Sequence, residues 1–307
     1  DLNFAVNAKW NPVKFLTVNG GLSYKWNRTE YYKILDDLLG GDYYVNIDQF
    51  AERDFAAYPT MIQNDLDYYL RNGAAQTLAQ GDKYGYDYYA HVRRAEAWAS
   101  GRFTFGGFEA TVAGRLGYSK FWREGLLRKG LFPGLDDNGN PFTYNGEVIT
   151  KYDQIDGRPI TSKGESDKKD FLTGSGKINL GYFISGGHRI YADAAYITEA
   201  PTFNQAFISP RTRNTMMPDL KTIKTLTADI NYAYSNSGYD VRVTGFYTSI
   251  KDQTDVMSFY DDSQNSFTNF AMSGIDERHV GVELGFKVPT PVPNLSLQGV
   301  FTYGQYI

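Results

Sequence analysis

The sequence predicts an all-β fold, the wall of an antiparallel transmembrane β-barrel. Three observations carry this: apolar and polar residues alternate over stretches of about ten residues, aromatic residues gather at the ends of those stretches, and the connections between them are alternately short and long. A strand whose side chains alternate has one apolar and one polar face. When the alternation runs for ~10 residues in place of the ~5–6 of an ordinary soluble strand, the apolar face is long enough to cross a tilted hydrocarbon layer.

The pattern returns about ten times. Leu2, Phe4, Val6, Ala8 and Trp10 alternate with Asn3, Asn7 and Lys9; Leu16, Val18, Leu22, Tyr24 and Trp26 alternate with Thr17, Asn19, Ser23 and Lys25. Ala95 to Phe105, Lys177 to Phe183 and Arg189 to Ile197 carry it more weakly, because small residues dilute the apolar set, whereas Phe108 to Ser119 shows it plainly. Leu226 to Tyr234 and Tyr239 to Thr248 form the next two, and Val280 to Lys287 and Leu295 to Tyr303 the last two. The parity assigns Leu16, Val18, Leu22, Val241, Val243, Val282 and Leu284 to lipid, and Thr17, Asn19, Arg242, Thr244 and Glu283 to the lumen.

Composition agrees once it is read for a barrel. A mean hydropathy of -0.45 with 21% charged residues fits alternating strands around a polar lumen. The 25 Tyr, 20 Phe and 4 Trp suit two interfacial girdles, with Trp10, Phe105, Phe108, Tyr182, Tyr232 and Phe286 at one end and Trp26, Tyr118, Trp122, Tyr196 and Tyr303 at the other. A β-sandwich also alternates and also favours Tyr, but its strands are shorter. With no cysteine, disulfides, thiolate metal sites and a Cys nucleophile are excluded. A net charge of -4 without a dense basic stripe argues against nucleic acid as a partner. Asp1 opens directly on a strand without a signal peptide and Ile307 stops inside a strand pattern, so the chain reads as an internal piece of a longer barrel.

Five connections are short and rich in turn residues, at 11–14, 106–107, 185–187, 235–238 and 289–294. Four are long, at roughly 27–92, 123–170, 198–222 and 251–278. Outer-membrane barrels keep short turns in the periplasm and long loops outside, which orients the wall. Within the first long loop the apolar spacing predicts helices over Tyr31–Leu39, ended by Gly40 and Gly41, and over Thr60–Arg71, ended by Asn72 and Gly73, together capping the barrel.

Asp136, Asn138, Asn140 and Glu147 occupy positions of a calcium-loop pattern, but Pro141 stands where the sharp turn needs Gly, and Asp137-Asn138-Gly139-Asn140 is also a hairpin tip, the reading preferred here. Gly174-Ser175-Gly176-Lys177 lacks the spacing of a phosphate loop and falls in a strand. His91, His188 and His279 form no metal pair. Asp276 and His279 could serve as a general-base pair at the outer rim, yet three positions apart on a strand they point to opposite faces, and a solvated rim is the plainer reading.

From Phe183 onward the order of motifs is more particular. Ser185-Gly186-Gly187-His188-Arg189 leads into Ile190 to Tyr196, then Glu199-Ala200-Pro201-Thr202-Phe203-Asn204, Met217-Pro218-Asp219-Leu220-Lys221, Tyr247 to Asp252 and Gly281-Val282-Glu283-Leu284. This resembles the late barrel of TonB-dependent outer-membrane receptors, with Met217 where that family usually has Asn and Thr222-Ile223 in place of its Pro-Glu. The resemblance implies a barrel of about 22 strands plugged by an N-terminal domain. It implies import of a scarce ligand driven by energy relayed from TonB through that plug, which would precede Asp1, while final strands would follow Ile307. The partners so implied are the TonB complex, outer-membrane lipid, an extracellular ligand and a surface lipoprotein as a lid; no cofactor is implied.

For ligand recognition the expected residues are Tyr43, Tyr44, Tyr58, Tyr68, Tyr144, Phe203, Phe207, Arg211, Arg213 and Tyr260, since rigid aromatic faces beside polar groups suit a bulky amphipathic ligand such as an iron-siderophore chelate or an oligosaccharide. Two other readings stay open on sequence: a closed ten-stranded outer-membrane hydrolase with Asp276 and His279 at its rim, and a passive porin.

Overall fold

Long alternating segments pair with their sequence neighbours because a short turn or a compact loop brings each strand back beside the last. The computed structural model describes residues 1–136, 138–144, 147–148, 159–262 and 266–307. Along the chain, β1 (Leu2–Val13) turns at Lys14 and Phe15 into β2 (Leu16–Ile34). The first long loop then carries β3 (Tyr44–Val45), α1 (Gln49–Phe55), α2 (Leu66–Asn72) and β4 (Thr77–Leu78). The wall resumes with β5 (Lys83–Phe105) and β6 (Phe108–Gly125), and the second loop holds β7 (Thr143–Tyr144), β8 (Glu147–Val148) and β9 (Gly164–Glu165). Next come β10 (Lys169–Ile184), β11 (His188–Glu199), α3 (Phe203–Ala206), β12 (Ile223–Asn236), β13 (Tyr239–Asp261), β14 (Ser266–Pro289) and β15 (Ser296–Tyr306).

Ten long strands form one antiparallel ladder in the order β1-β2-β5-β6-β10-β11-β12-β13-β14-β15, with β9 paired to the top of β6. The ladder is open: among the described residues β1 and β15 do not pair with each other, so the ten strands do not close on themselves. The registers settle the faces. Leu16, Phe103, Ala110, Leu180, Ala192, Ile230, Gly245, Val282 and Tyr303 are successive cross-strand neighbours, an apolar row across nine strands. One residue along, Thr17, Arg102, Thr111, Asn179, Asp193 and Asp229 make the corresponding polar row on the opposite face. The polar face is the inner one, because the loops fold over it: Phe207 packs with Phe121 and Phe171, which share the parity of Thr111 and Asn179. Leu22, Leu116, Ile230 and Val282 are exposed on the other side, while Thr244 is buried and donates to Asn231 at 2.6 Å. The lipid and lumen assignments made from parity hold.

The short turns fall where expected, and Gly174 to Lys177 lie in β10. The long connections are shorter than expected, since the wall strands continue past the membrane. The clearest case is 251–278, which is mostly the tall β13–β14 hairpin, paired from Lys287 opposite Asp240 up to Ser266 opposite Asp261.

The helix expected over Tyr31–Leu39 is absent. Tyr31 to Ile34 extend β2, pairing with Tyr88, Asp87, Tyr84 and Lys83, because a neighbouring strand supplies a ladder that local helical spacing cannot outweigh. Of Thr60–Arg71 only the second half is helical. Asp65 caps α2 by accepting from the Tyr68 N–H at 3.0 Å, and Gly73 ends it in the left-handed region at φ 69°, as the Asn-Gly signal required. α1, which sequence reading missed, is capped by Asp48, whose carboxylate accepts from Phe50 and Ala51 at 3.1 and 3.2 Å.

Around 136–141 the chain forms a hairpin tip. The Asp136 carboxylate accepts from the N–H groups of Asn138 and Asn140 at 2.9 and 2.8 Å, and Gly139 takes φ 81°. Asp137 and the Glu147 side chain lie outside the described residues. Asp276 and His279 do not meet: Asp276 accepts from the Asp252 N–H at 3.2 Å, while His279 approaches Glu277 at 3.2 Å and the edge of Tyr306.

Candidate functional site

Above the lipid-facing rows β2 and β5 continue as a pair and turn an aromatic column toward the interior. Tyr31 and Tyr88 are cross-strand neighbours stacked at 5.2 Å with 14° between their planes. Tyr88 faces Phe203 at 6.4 Å and 11°, and Phe203 meets Phe207 at 4.5 Å. Phe203 opens α3, whose capping box is complete: the Thr202 hydroxyl accepts from the Gln205 N–H, and Gln205 Oε1 accepts from the Thr202 N–H at 2.9 Å. That cap fixes the point at which the third loop leaves β11 and drops onto the inner face of β6 and β10.

Beneath this column lies Arg123, 2% exposed and, among the described residues, without a carboxylate in contact. Its guanidinium donates to the carbonyls of Pro210 at 2.6 Å and Ser162 at 2.7 Å and to Asn214 Oδ1, and it lies 4.9 Å from the Tyr88 ring centroid. One cation thus ties the second and third loops to β6. Lys129 does the same for the first two loops: its ammonium donates to Asn64 Oδ1 and the Gly85 carbonyl, and its N–H donates to Ser162 Oγ at 2.8 Å. Burial pushes the Lys129 ammonium down to about 8. Gly130 shows how close these loops lie, since a Cβ there would stand 2.0 Å from the Thr60 carbonyl oxygen.

Of the residues expected to meet ligand, the structure brings four into this mouth. Phe203 stands in the column, Phe207 is packed away at 1% exposure, and Arg211 and Arg213 lie over the rings of Tyr86 and Phe132 at 5.4 and 5.1 Å. Tyr43, Tyr58 and Tyr260 are dispersed on the loop surface, exposed, and Tyr44 sits edge-on to Tyr84 at 5.4 Å. Tyr68 lines a separate polar pocket of ≈ 360 Å³ with Asp65, Asp82, Lys83 and Asp87. The backbone of Tyr144 is in β7, but its side chain lies outside the described residues. Tyr31, Tyr86 and Tyr88 were missed; the alternation Tyr84-Gly85-Tyr86-Asp87-Tyr88 carried the signal. Among the described residues no three His, Cys, Asp or Glu side chains gather into a metal-holding group.

The chain matches the family described as TonB dependent receptor-like, beta-barrel, over residues 1–306. It belongs to that family. By sequence, no curated relative matches it. Its fold is similar to that of the copper transporter OprC, with a TM-score of 0.59 at 12% identity over 99% of this chain and 37% of that one. The FrpB iron transporter from Neisseria meningitidis (F3-3 variant) gives 0.51 at 13% over 98% and 34%. The ferric-catecholate import receptor Fiu from K12 E. coli, in its closed form, gives 0.51 at 12% over 99% and 37%. The chain therefore spans 34% to 37% of the length of these transporters.

As part of a TonB-dependent receptor barrel, the wall belongs to the bacterial outer membrane and to a family of transporters. Its inner face is charged in alternating signs. Glu96 lies between Arg94 at 3.0 Å and Arg115 at 3.2 Å, Arg115 reaches Glu199 at 3.6 Å, and Glu109 lies between Arg102 at 3.2 Å and Arg189 at 3.5 Å. Such ladders keep the lumen polar without giving it a single-sign field.

Proposed function

We propose that this chain forms the wall and extracellular mouth of a receptor that captures a scarce, bulky ligand of the iron-siderophore or oligosaccharide class and imports it with energy relayed by TonB. The observation that carries this reading is the inward aromatic column of Tyr31, Tyr88 and Phe203, flanked by Tyr86 and Arg211, standing over a polar lumen. Flat aromatic faces beside a guanidinium bind planar or sugar-like anionic groups with little ordering cost. The open edges of β1 and β15 support a larger barrel, since unpaired ladder edges in a bilayer are prohibitive. On this reading further strands complete the wall to about 22, a plug fills the lumen and contacts TonB, and a surface lipoprotein can lid the mouth.

The test uses the full-length receptor. Arg211→Ala and Tyr86→Ala should each weaken equilibrium binding of a ferric siderophore panel or an oligosaccharide panel by roughly tenfold, about 1–2 kcal/mol, with the wall still folded. Uptake should stop in uncoupled cells while binding persists. Transport that continues without a proton gradient rejects the active mechanism.

A further inference from the structure

The polar pocket that Tyr68 lines lies on the other side of the β2–β5 sheet from the aromatic column. Asp87 and Tyr88 are consecutive on β5, so their side chains leave opposite faces: Tyr88 meets Phe203, whereas Asp87 lines the pocket. β2 gives the same answer. Tyr31 stacks on Tyr88, while Glu30 and Tyr32, which engage Lys83, share the parity of the lipid-facing Leu22. The pocket therefore sits on the outer flank of the mouth, outside the lumen, walled by β4, the start of α2, the start of β5 and the first residues of the second loop.

Lys83 is the cation of this pocket, and it is fully engaged. Its ammonium donates to Asp87 Oδ2 at 2.8 Å and to Glu30, and lies 4.3 Å from the Tyr32 ring centroid. The carboxylates outnumber it. Asp65 and Asp82 each commit one oxygen to a turn, Asp65 Oδ1 accepting from the Tyr68 N–H at 3.0 Å and Asp82 Oδ2 from the Ala79 N–H at 2.8 Å. Among the described residues their other oxygens have no partner, and no Lys or Arg is in ion-pair range of either. The cations nearby are held elsewhere, Arg128 and Lys163 by Asp67, and Lys129 by the oxygens of Asn64 and Gly85. Asp87 is the sharpest case: it is 9% exposed, and its Oδ1 is buried without a hydrogen-bond partner. An orphaned buried acceptor is costly. Burial, with Glu30 close by, raises the Asp87 carboxyl above its ordinary value of 3.8 against the pull of Lys83.

Three carboxylates with spare oxygens around one cavity suit a cation that donates several hydrogen bonds, and a primary ammonium carries three N–H groups and no acceptor. The cavity, ≈ 360 Å³, is far larger than an ammonium alone, and Tyr68, Leu78 and Leu127 give it an apolar side, so the charge belongs on a compact carbon skeleton. A bare divalent ion fits less well. Lys83 already stands among the carboxylates, and among the described residues no three His, Cys, Asp or Glu side chains gather as metal ligands. We propose that the pocket binds a small organic amine, its ammonium on Asp65, Asp82 and Asp87 and its skeleton against Tyr68, Leu78 and Leu127. The site is independent of the ligand that is transported, because it lies on the opposite face of the sheet from the column. Its walls come from the first loop, β5 and the second loop, so an occupant also braces the two loops against the wall.

Saturation-transfer NMR on the full-length receptor in detergent, with putrescine as the probe, reads the site directly. The wild-type receptor should transfer magnetisation to the putrescine methylenes, and neutral butanediol should neither bind nor compete. Asp65→Asn with Asp82→Asn removes two charges while each Asn still accepts from its turn N–H, and should weaken binding by roughly tenfold or more. Thr77→Tyr, which fills the pocket and keeps every carboxylate, should abolish the transfer, and it serves if the charge variant misfolds. Asp54→Asn, on the exposed surface of α1 and outside the pocket, should change nothing. Equal affinity in the wild type and the Asp65, Asp82 variant, transfer that survives in Thr77→Tyr, competition by butanediol, or displacement of putrescine by an equal concentration of calcium would each overturn the proposal.

Discussion

The wall and the mouth of this receptor are held together by different means. In the wall, backbone ladders carry the structure and side chains mainly choose a face, so Val243 and Thr244 are neighbours in sequence yet lie on opposite surfaces. In the mouth, regular structure is short, with seven residues in α1 and in α2 and four in α3. There, buried cations bind carbonyls from segments far apart in the chain. The wall can tolerate much side-chain change provided the face is respected, whereas the mouth depends on single groups.

The largest expected effect separates the two regions. Arg123→Met leaves the Pro210 and Ser162 carbonyls and Asn214 without their donor, and each orphaned buried acceptor costs about 1–3 kcal/mol. The mouth should loosen by about 3–5 kcal/mol in hydrogen-exchange protection of residues 126–136 and 200–222, while the heat-modifiable migration of the folded barrel stays unchanged. Loss of barrel migration together with loop protection would mean that mouth and wall fold as one unit.

Next in size is a change confined to the wall. Val243→Arg puts a charge on the lipid face near mid-bilayer, expected to cost roughly 2–4 kcal/mol in insertion equilibria. The native Arg242, one position earlier and lumen-facing, shows that an arginine at this depth is acceptable on the other face. Equal insertion of the variant and wild type would contradict the facing.

What was legible in the sequence follows the same division. The lipid and lumen faces were readable because alternation is local: Leu16, Val18 and Leu22 state their face without reference to any other strand. The mouth was not, because its interactions are long-range. Arg123 meets a carbonyl 39 residues away and an amide 91 away, and nothing in the Trp122-Arg123-Glu124 neighbourhood distinguishes it from a rim charge. The misread helix at Tyr31–Leu39 has the same origin, for Ile34, Leu35, Leu38 and Leu39 have helical spacing, but the partner strand that decides the matter lies beyond a loop. The family motifs after Phe183 identified the barrel, and they left the aromatic column on β2 and β5 unmarked because that column depends on strands extending above the membrane.

A third effect should appear only as pH rises. Lys129 is buried among neutral acceptors and titrates at about 8 in the folded mouth against 10.5 when free. Between those values the unfolded loop binds a proton that the folded one has released, so folding becomes more favourable as pH rises through this window. The penalty for burying the charged form is present in full below about 8. Loop protection measured from pH 7.5 to 9.5 should therefore increase in the wild type, after correction for intrinsic exchange, and stay level in Lys129→Met. A wild-type profile that is flat or falls would show that the ammonium is stabilised as a cation by its oxygen cage.

The smallest effect concerns the tie between the first loop and the second at the surface. Asp67 on α2 receives Arg128 Nε at 2.9 Å and Lys163 Nζ at 2.6 Å. Partial burial raises its carboxyl, but the two cations together outweigh that and hold it below its ordinary value of 3.8. A carboxylate whose folded value is depressed stabilises fully above the unfolded value and loses that contribution as pH falls through the folded one. Lys163 is well exposed and screened, so removing the charge with Asp67→Asn should cost only about 1 kcal/mol. The loss should shrink in high salt and vanish at the acid end of a pH series. Arg128→Gln should reproduce it and cost slightly more, because its guanidinium also donates to the Pro133 carbonyl at 2.5 Å. Additive losses in the Asp67→Asn, Arg128→Gln double variant would mean that the pair contributes no coupling, and that the first and second loops are joined by the buried Lys129 and by backbone hydrogen bonds such as Gly130 N–H to the Gln63 carbonyl.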